Sequence, residues 1–247
     1  MTGVNAHPAV TVSAPAIAQA RRHVSCFHAW LRVLVWAGLA LTVPPAHAAD
    51  AIARVQTVQG EVTAHAPDAA ARVLRVGSEL FTRDRIISRQ NARIRITFND
   101  ESSVSLGPRS ELTLDRYDPD SDDPGFAIRV TKGIFRVVSG LIARNHPASY
   151  RVNTPVATIG IRGTQFGGEV QETSAVIVLL EPSDGRSTAI EVSNEFGAVI
   201  VDRPGFGTEV PDASSPPSPQ RRMQLRAVDN LIRSLSTIQR LQVPRPR

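Results

Sequence analysis

The acidic run from Asp118 to Asp123 is the plainest candidate for metal chemistry in this chain of 247 residues. Alternate residues from Asp118 onward supply carboxylates at positions 1, 3 and 5 of a calcium-binding loop. Position 6, where such a loop turns on glycine, is Asp123, and position 12, where a bidentate glutamate is needed, is Arg129. The pattern therefore favours an exposed acidic turn, with calcium binding as the alternative.

Residues that could carry out acid–base or nucleophilic catalysis are sparse. Beyond residue 48 the only histidines are His65 and His146, and neither adjoins a nucleophile motif. The patterns H-E-x-x-H, G-x-S-x-G and S-x-x-K, which position a zinc ion or a reactive serine, do not occur. The sequence therefore predicts a protein that is not an enzyme and that has no catalytic residues, cofactor or resident metal.

Two groups of residues are candidates for contact with another molecule. The turn Arg162-Gly163-Thr164 could face a ligand, although glycine in a strand more often marks a bulge or close packing, which is the reading we favour. The second group is Arg226, Arg233 and Arg240, which recur every seven residues near the C-terminus.

These residues stand on a series of short β-patterned segments that runs from Ile52 to about Phe206. Segments such as 94–98 and 103–106 alternate apolar and polar residues, and glycine or turn residues separate them. Helical periodicity is absent between the segments, so the pattern predicts an all-β fold, a compact multi-stranded antiparallel roll or sandwich. The larger members of its core are expected to be Phe81, Phe98, Phe135 and Phe166.

Residues 1–48 have the pattern of a secretory signal peptide. Three arginines and no acidic residue precede an apolar run at 33–43, and Ala46-His47-Ala48 then provides a cleavage site before Ala49. The run is shorter than the roughly 20 residues that span a bilayer, but an uncleaved membrane anchor is the alternative. The only cysteine, Cys26, lies in this segment, so the exported chain would contain no disulfide.

The positive net charge of +5 belongs to the two ends of the chain. Of 28 basic residues, three lie in the first 48 positions and seven in the last 28, which leaves 18 basic and 22 acidic residues at 49–219. A nucleic-acid-binding domain would need a basic patch on the folded part itself. The charge distribution therefore predicts no nucleic-acid partner.

The C-terminal region differs in composition from the rest. Residues 210–220 are rich in proline and serine and predict an extended linker. Residues 221–243 then carry apolar side chains at three- and four-residue spacing, which predicts an amphipathic C-terminal helix. The helix is expected to cover the β-domain or to dock on a partner, and contact with a membrane surface is the alternative.

The β-patterned region resembles the FecR-domain family. Its segments follow the family order, namely VQGEV (58–62, an opening hairpin), RVGSELFTRDRIIS (75–88), ARIRITFNDESSVSLGPRSELTL (92–114), VTKGIFRVVSG (130–140), YRVNTPVATIGIRGTQF (150–166) and the trailing hairpins (176–210). Glu101 stands where the family usually has glycine. The resemblance covers about residues 55–208, so we expect a FecR-like β-domain at 49–209.

The resemblance implies a regulatory or protein-interaction role in the periplasm. The best-known FecR protein spans the inner membrane, receives a signal from an outer-membrane transporter and controls a sigma factor through a cytoplasmic helical part. Only the periplasmic module is matched here. We therefore expect a periplasmic sensor or interaction module that binds a protein of the cell envelope, and a membrane-anchored transducer that regulates a sigma factor is the alternative.

Overall fold

The computed structural model describes residues 50–67, 69–162, 165–181, 188–224 and 226–242, and for residues 162 and 236–242 it describes the backbone alone. Residues 49–247 form one compact unit. The predicted signal peptide lies outside the described residues. The part of the chain with described structure contains seventeen strands, with these bounds: β1 Ala53–Gln59, β2 Val62–His65, β3 Arg72–Val73, β4 Glu79–Leu80, β5 Arg85–Ser88, β6 Arg93–Phe98, β7 Ser103–Leu106, β8 Glu111–Asp118, β9 Gly125–Val138, β10 Tyr150–Asn153, β11 Thr158–Arg162, β12 Gln165–Val170, β13 Ala175–Leu179, β14 Ala189–Asn194, β15 Gly197–Val201, β16 Phe206–Val210 and β17 Arg221–Arg222.

Strand pairing arranges these elements in two runs that share β9. Run A has the order β4-β1-β6-β7-β9-β12-β13-β16-β17. Run B has the order β3-β2-β5-β8-β9-β10-β11-β14-β15. The all-β prediction is confirmed, and every pair in both runs is antiparallel except β9 with β10.

Strand β9 joins the two runs because it is long enough to take part in both. Its first part, up to Lys132, pairs with β8 and β10 of run B. Its second part, from Gly133 onward, pairs with β7 and β12 of run A. Gly133 has a φ of +100°, a backbone conformation that glycine adopts without steric cost. In the sequence, the alternation of apolar and polar residues is interrupted at this glycine.

The single parallel pair requires a crossover connection, since parallel neighbours cannot be joined by a tight turn. After β9 the chain forms the short helix α1 (Leu141–Asn145) and a 3₁₀ turn (Pro147–Ser149) before β10 begins. Ile142 and Ala143 of α1 are buried. This connection returns the chain from run A to run B, where β10 lies beside the first half of β9.

The hydrophobic core lies between the runs. Phe98 of run A lies with its ring centroid 5.7 Å from that of Tyr117 and 4.9 Å from that of Phe126, both in run B. Phe126 also stacks on Tyr150 at 4.1 Å. Side chains of the two runs therefore face each other, which is the sandwich arrangement that the alternation of apolar residues predicts.

Two sequence expectations about the core and its first strands are wrong. Phe98, Phe135 and Phe166 are buried as expected, but Phe81 is half-buried at the surface, where the Arg72 guanidinium lies 5.3 Å from its ring centroid. Strands β1 and β2 do not form a hairpin: β1 pairs with β4 and β6, whereas β2 pairs with β3 and β5. The turn at Gly60, with φ +72°, carries the chain from run A to run B instead.

The C-terminal amphipathic helix is present as α2 (Arg226–Gln242) and packs against β1, β6, β9 and β12 of run A. Among its described side chains, Val228, Leu231 and Leu235 are buried. A Cβ added to Gly167 would lie 2.8 Å from Val228 Cγ1, so this glycine gives the helix its close approach to the sheet. Among the described residues no helix is both long and apolar enough to cross a membrane.

The proline-rich segment before α2 contacts the β-domain along its length. Val210, its first residue, is fully buried as the last residue of β16. The Ser218 backbone N–H donates to the Glu209 carbonyl at 2.9 Å, and Asn194 Nδ2 donates to the Ser215 carbonyl at 2.8 Å. These contacts hold the segment against the β-domain.

Candidate interaction surfaces

The turn Arg162-Gly163-Thr164 connects the two runs. Strand β11 of run B ends at Arg162, and β12 of run A begins at Gln165. Gly163, Thr164 and the Arg162 side chain lie outside the described residues. The structural role that we favoured for this glycine therefore stays a prediction.

Gln165, the residue after this turn, belongs to a strip of polar side chains on the face of run A that α2 covers. Arg95, Ser105 and Arg136 are register neighbours on β6, β7 and β9, and Gly167, which faces Val228 of α2, pairs with Arg136. Arg136 Nη2 donates to Gln165 Oε1. Ser105 is buried, so the helix covers polar groups as well as apolar ones.

Burial of this strip changes the electrostatics of its two arginines. Desolvation, together with repulsion from Arg95, lowers the pKa of Arg136 to about 10. Desolvation also lowers the pKa of Arg95. Both guanidinium groups remain charged at neutral pH, so α2 covers two like charges whose hydration has been reduced. Such a surface is more costly to cover than an apolar one.

The candidate arginines of α2 lie on the side of the helix that faces away from the sheet, as far as their side chains are described. Arg226 and Arg233 are exposed. Arg233 donates to the Asp229 carbonyl at 3.4 Å and to Asn230 Oδ1 at 3.2 Å, and these bonds are within the helix itself. The side chain of Arg240 lies outside the described residues. The two described arginines are therefore accessible to a partner.

The acidic turn after β8 is occupied by an arginine. Arg116 Nε donates to Asp118 Oδ2 at 2.9 Å, and Arg116 Nη2 donates to Asp123 Oδ2 at 3.1 Å and to the Asp123 carbonyl at 2.7 Å. The hydrogen bond to Asp118, followed by that to Asp123, raises the pKa of Arg116. The Arg116 guanidinium thus occupies the place of a metal cation between these two carboxylates, which fits an exposed acidic turn.

The two histidines of the folded part stand apart. His65 Nε2 lies 3.1 Å from the Thr63 hydroxyl on β2, and the exposed His146 follows α1. Across the described ranges, no group of three or more histidine, cysteine or acidic side chains is placed to hold a metal ion.

A buried ion pair that we did not single out from the sequence fixes one corner of run B. Asp84 has no solvent exposure, and both of its carboxylate oxygens accept hydrogen bonds from Arg72. The Phe81 backbone N–H donates to Asp84 Oδ2 at 2.8 Å. Arg83, the residue before Asp84, has a φ of +72°. Asp84 lies in the segment RVGSELFTRDRIIS, which resembles part of a FecR domain, and this resemblance was the only sign in the sequence that the residue matters.

A second buried polar group lies where the β6–β7 turn meets the end of β9. The Ser102 hydroxyl donates to Asp100 Oδ2 at 2.8 Å and accepts from the Gly140 N–H at 2.8 Å. A Cβ on Gly140 would lie 2.0 Å from the Asp100 carbonyl oxygen, so the two backbones touch. Glu101, between the two polar residues, has a φ of +67°. Asp100, Ser102 and Gly140 are therefore buried and join elements of the fold, whereas the Glu101 side chain is exposed.

Comparison with known proteins agrees with this structure. The family model described as FecR protein matches residues 84–183, from the buried Asp84 through β13. No curated protein matches the chain in sequence.

Among solved structures, two crystal structures of a proposed anti-sigma factor from Parabacteroides distasonis ATCC 8503 align with the chain at 13% identity and a TM-score of 0.46. The alignments cover 60% of this chain and 64% or 63% of theirs, so the chain spans less than two thirds of the length of those proteins. A structure described as a cell surface anchoring domain is 26% identical over 25% of this chain and 82% of its own, with a TM-score of 0.24. Likeness at these TM-scores carries no argument about function.

The match to the FecR family model does carry an argument about function. FecR domains belong to regulatory, envelope-associated proteins that are not typically enzymes, so the match supports a signalling or regulatory role. The match identifies residues 84–183 of this chain as a FecR domain.

Proposed function

We propose that this protein is exported and acts as a non-enzymatic sensor or protein-interaction module of the cell envelope. The observation that carries the proposal is the FecR domain at residues 84–183, which follows an N-terminal segment with the residue pattern of a signal peptide. The protein would work by contact with another envelope protein.

The contacts that we propose for this partner are on two parts of the chain. The first is α2, through the exposed Arg226 and Arg233 and through Arg240. The second is the turn Arg162-Gly163-Thr164 between the runs. Acidic side chains on a partner would complement the arginines of α2, and an anionic membrane surface is the other candidate for the same charges.

A second candidate function follows from the same family. If the apolar run at 33–43 is retained as an anchor, the domain would be held at the inner membrane as a signal transducer. A transducer of this kind would regulate a sigma factor in response to an outer-membrane transporter. Both functions use the same folded domain and differ in what becomes of residues 1–48.

Fractionation of cells that make a C-terminally tagged full chain tests the proposal. We expect a soluble periplasmic product whose N-terminus, determined by mass spectrometry, is Ala49. The matched control is Ala48→Arg, which should block cleavage and retain the full-length chain in the membrane. A full-length wild-type product in the inner membrane would instead support the transducer.

Cross-linking of intact cells followed by affinity capture tests the interaction. The wild-type chain should capture a protein of the envelope, and a variant with Arg226 and Arg233 both changed to Glu should lose it while retaining its thermal stability. A capture that is unchanged by the charge reversal would remove α2 from the proposed contact surface.

A further inference from the structure

The strip of polar side chains beneath α2 extends onto β1 through Thr57. Thr57 stands opposite Arg95 in the pairing of β1 with β6, α2 contacts β1, and the Thr57 side chain is only 1% exposed. Within the described part of the chain, the buried atoms Thr57 Oγ1 and Arg136 Nε have no hydrogen-bond partner. Because most buried polar atoms of native proteins are hydrogen-bonded, α2 is an imperfect cover for this face of run A.

The charge of α2 does not complement the strip either. The helix Arg226–Gln242 contains three arginines and a single acidic residue, Asp229, which is exposed. The described side chains that it buries against the sheet are Val228, Leu231 and Leu235. A basic helix with an apolar contact face thus lies over two charged arginines, although an opposite charge is what stabilises a buried charge.

The two arginines of the strip are placed to share one carboxylate. Arg95 on β6 and Arg136 on β9 lie on either side of Ser105 on β7, and the three are register neighbours. Neighbouring strands are about 4.8 Å apart, so the two arginine Cα atoms are separated by roughly 10 Å. Long side chains from both strands reach the space over Ser105, and the guanidinium fork matches a carboxylate placed there.

The same face accommodates a helix. Gly167 pairs with Arg136, and a Cβ added to Gly167 would lie 2.8 Å from Val228 Cγ1. Because α2 contacts β12, β9, β6 and β1, a helix in this place passes over the strip. A helix of this shape with a carboxylate beside its apolar row would satisfy groups that α2 does not.

We propose that this face of run A is the docking site for an acidic amphipathic helix of a partner protein, and that α2 is a cover which the partner displaces. This rests on the proposed function, because it specifies the partner of the interaction module. The partner helix carries apolar residues at the spacing of Val228, Leu231 and Leu235, with a glutamate or aspartate beside them for the arginines of the strip. The exposed arginines of α2 attract the same acidic segment before it docks.

Two synthetic peptides test the site without the natural partner. Both have the sequence of residues 224–242 and carry a fluorescent label. The acidic probe contains Ile232→Glu and Ser234→Glu, at two half-buried positions that flank the apolar row. The control peptide contains Gln224→Glu and Asn230→Glu, at exposed positions that give it the same net charge.

Fluorescence anisotropy of each peptide with the purified chain measures docking. We expect the acidic probe to bind Leu231→Ala at least about tenfold more tightly than the wild type, because a cover that is docked for less of the time excludes the probe less. The probe should also bind Leu231→Ala at least about tenfold more tightly than the control peptide does. No binding of the probe to Leu231→Ala, or equal affinities of the two peptides, would overturn the proposal.

Substitutions in the strip test which groups hold the carboxylate. In the Leu231→Ala background, Arg136→Gln should weaken binding of the probe at least about tenfold, since a charge-assisted pair is lost. The matched control is Arg151→Gln, at an exposed arginine of β10 in run B, which should change the dissociation constant less than about twofold. Equal effects of the two substitutions would exclude the strip as the site. If Arg136→Gln lowers the thermal stability of the β-domain, Arg95→Gln makes the same test from the other side of Ser105.

Thr57→Val tests the quality of the cover. Valine has nearly the shape of threonine without the hydroxyl, so α2 would no longer bury an unsatisfied oxygen at this position. We expect trypsin cleavage after Arg226 and Arg233 to slow by about threefold or more, and binding of the probe to weaken correspondingly, because both follow the population of the undocked helix. Unchanged or faster cleavage would show that α2 is not an imperfect cover.

These measurements separate the docking site from the proposed envelope function. Failure of the probe to bind, with unchanged export and capture of an envelope protein, would overturn the docking site alone. Binding of the probe by a chain that captures no envelope protein in cells would support the site and count against the proposed function.

Discussion

Ser110 fills the space beside Gly133 so closely that a Cβ at position 133 would lie 2.2 Å from the Ser110 hydroxyl oxygen and 2.4 Å from its Cα. The same hydroxyl accepts the Ile134 N–H at 2.9 Å and lies 3.1 Å from the Ile134 carbonyl oxygen. Ser110 therefore fixes the backbone at the point where β9 passes from run B to run A. Both residues belong to the motif segments of the FecR family.

Gly133→Ala should be among the most destabilising single changes in the domain. The new methyl group would strike the Ser110 backbone, and alanine would be held at a φ of +100°. We expect a loss of about 3 kcal/mol or more in the free energy of unfolding, measured by urea denaturation.

Gly77→Ala is the matched control for that experiment. Gly77 has a φ of +85° but no atom within 4 Å of an added Cβ, so only the backbone conformation is penalised. We expect a loss of about 1 kcal/mol. Equal losses in the two variants would show that contact with Ser110 does not matter.

Glu101→Gly should stabilise the protein. Glu101 has a φ of +67° in the turn between β6 and β7, where glycine avoids the steric cost of a side chain. We expect a gain of about 0.5–1 kcal/mol in thermal or urea unfolding, after allowance for the greater freedom of glycine in the unfolded chain. Glu101→Ala keeps the Cβ and should give no gain, which makes it the control for loss of the charge.

The sequence was sufficient to predict the fold class, because half-buried strands impose alternation on their residues and the chain shows it clearly. It was also sufficient for Phe98, Phe135 and Phe166, which lie inside alternating segments. It could not assign strands to runs. Whether a strand pairs with its neighbour in sequence or crosses to the other run depends on turn geometry, and Gly60 permits either.

The same limit explains the missed aromatic core. Phe126 and Tyr150 stack on each other because β10 returns beside β9 through α1, a contact that no local pattern encodes. The motif residues show a related limit. From the sequence alone, residues such as Asp100, Ser102 and Gly140 could equally have belonged to a binding site. Only the distances between them in the structure show that they connect two elements of the fold.

The two tyrosines predict alkaline unfolding. Tyr117 and Tyr150 are the only tyrosines of the chain, and burial, with the charge of Asp100 as a further cause, raises the pKa of both above the usual range. A folded-state pKa above the unfolded value of about 10 means that the native state holds its protons longer, so stability is complete below pH 10 and is lost above it. Each group contributes a slope of about 1.4 kcal/mol per pH unit.

Absorbance of tyrosinate near 295 nm measures this directly. We expect no ionisation in the folded protein at pH 10 to 11, followed by a single rise that coincides with loss of the β-sheet circular dichroism signal. Tyr150→Phe should make the loss of stability above pH 10 less steep by about 1.4 kcal/mol per pH unit, the contribution of one tyrosine. Ionisation of either tyrosine in the intact fold at its ordinary pKa would contradict the burial of these hydroxyls.

The last prediction concerns the attachment of α2. Three buried side chains hold the described part of the helix, Val228, Leu231 and Leu235. They lie over a surface that contains Arg95 and Arg136, so the docking of the helix should be weaker than that of a core element. Leu231→Ala removes one of the three and should cost about 2 kcal/mol of docking free energy. Trypsin should then cut after Arg226 or Arg233 at least about tenfold faster, because cleavage follows the population of the undocked helix. Asn230→Ala, on the exposed side, should leave the rate unchanged. If cleavage in Leu231→Ala accelerated equally within β6 or β9, the helix would be an integral part of the cooperative fold and not a separately attached cover.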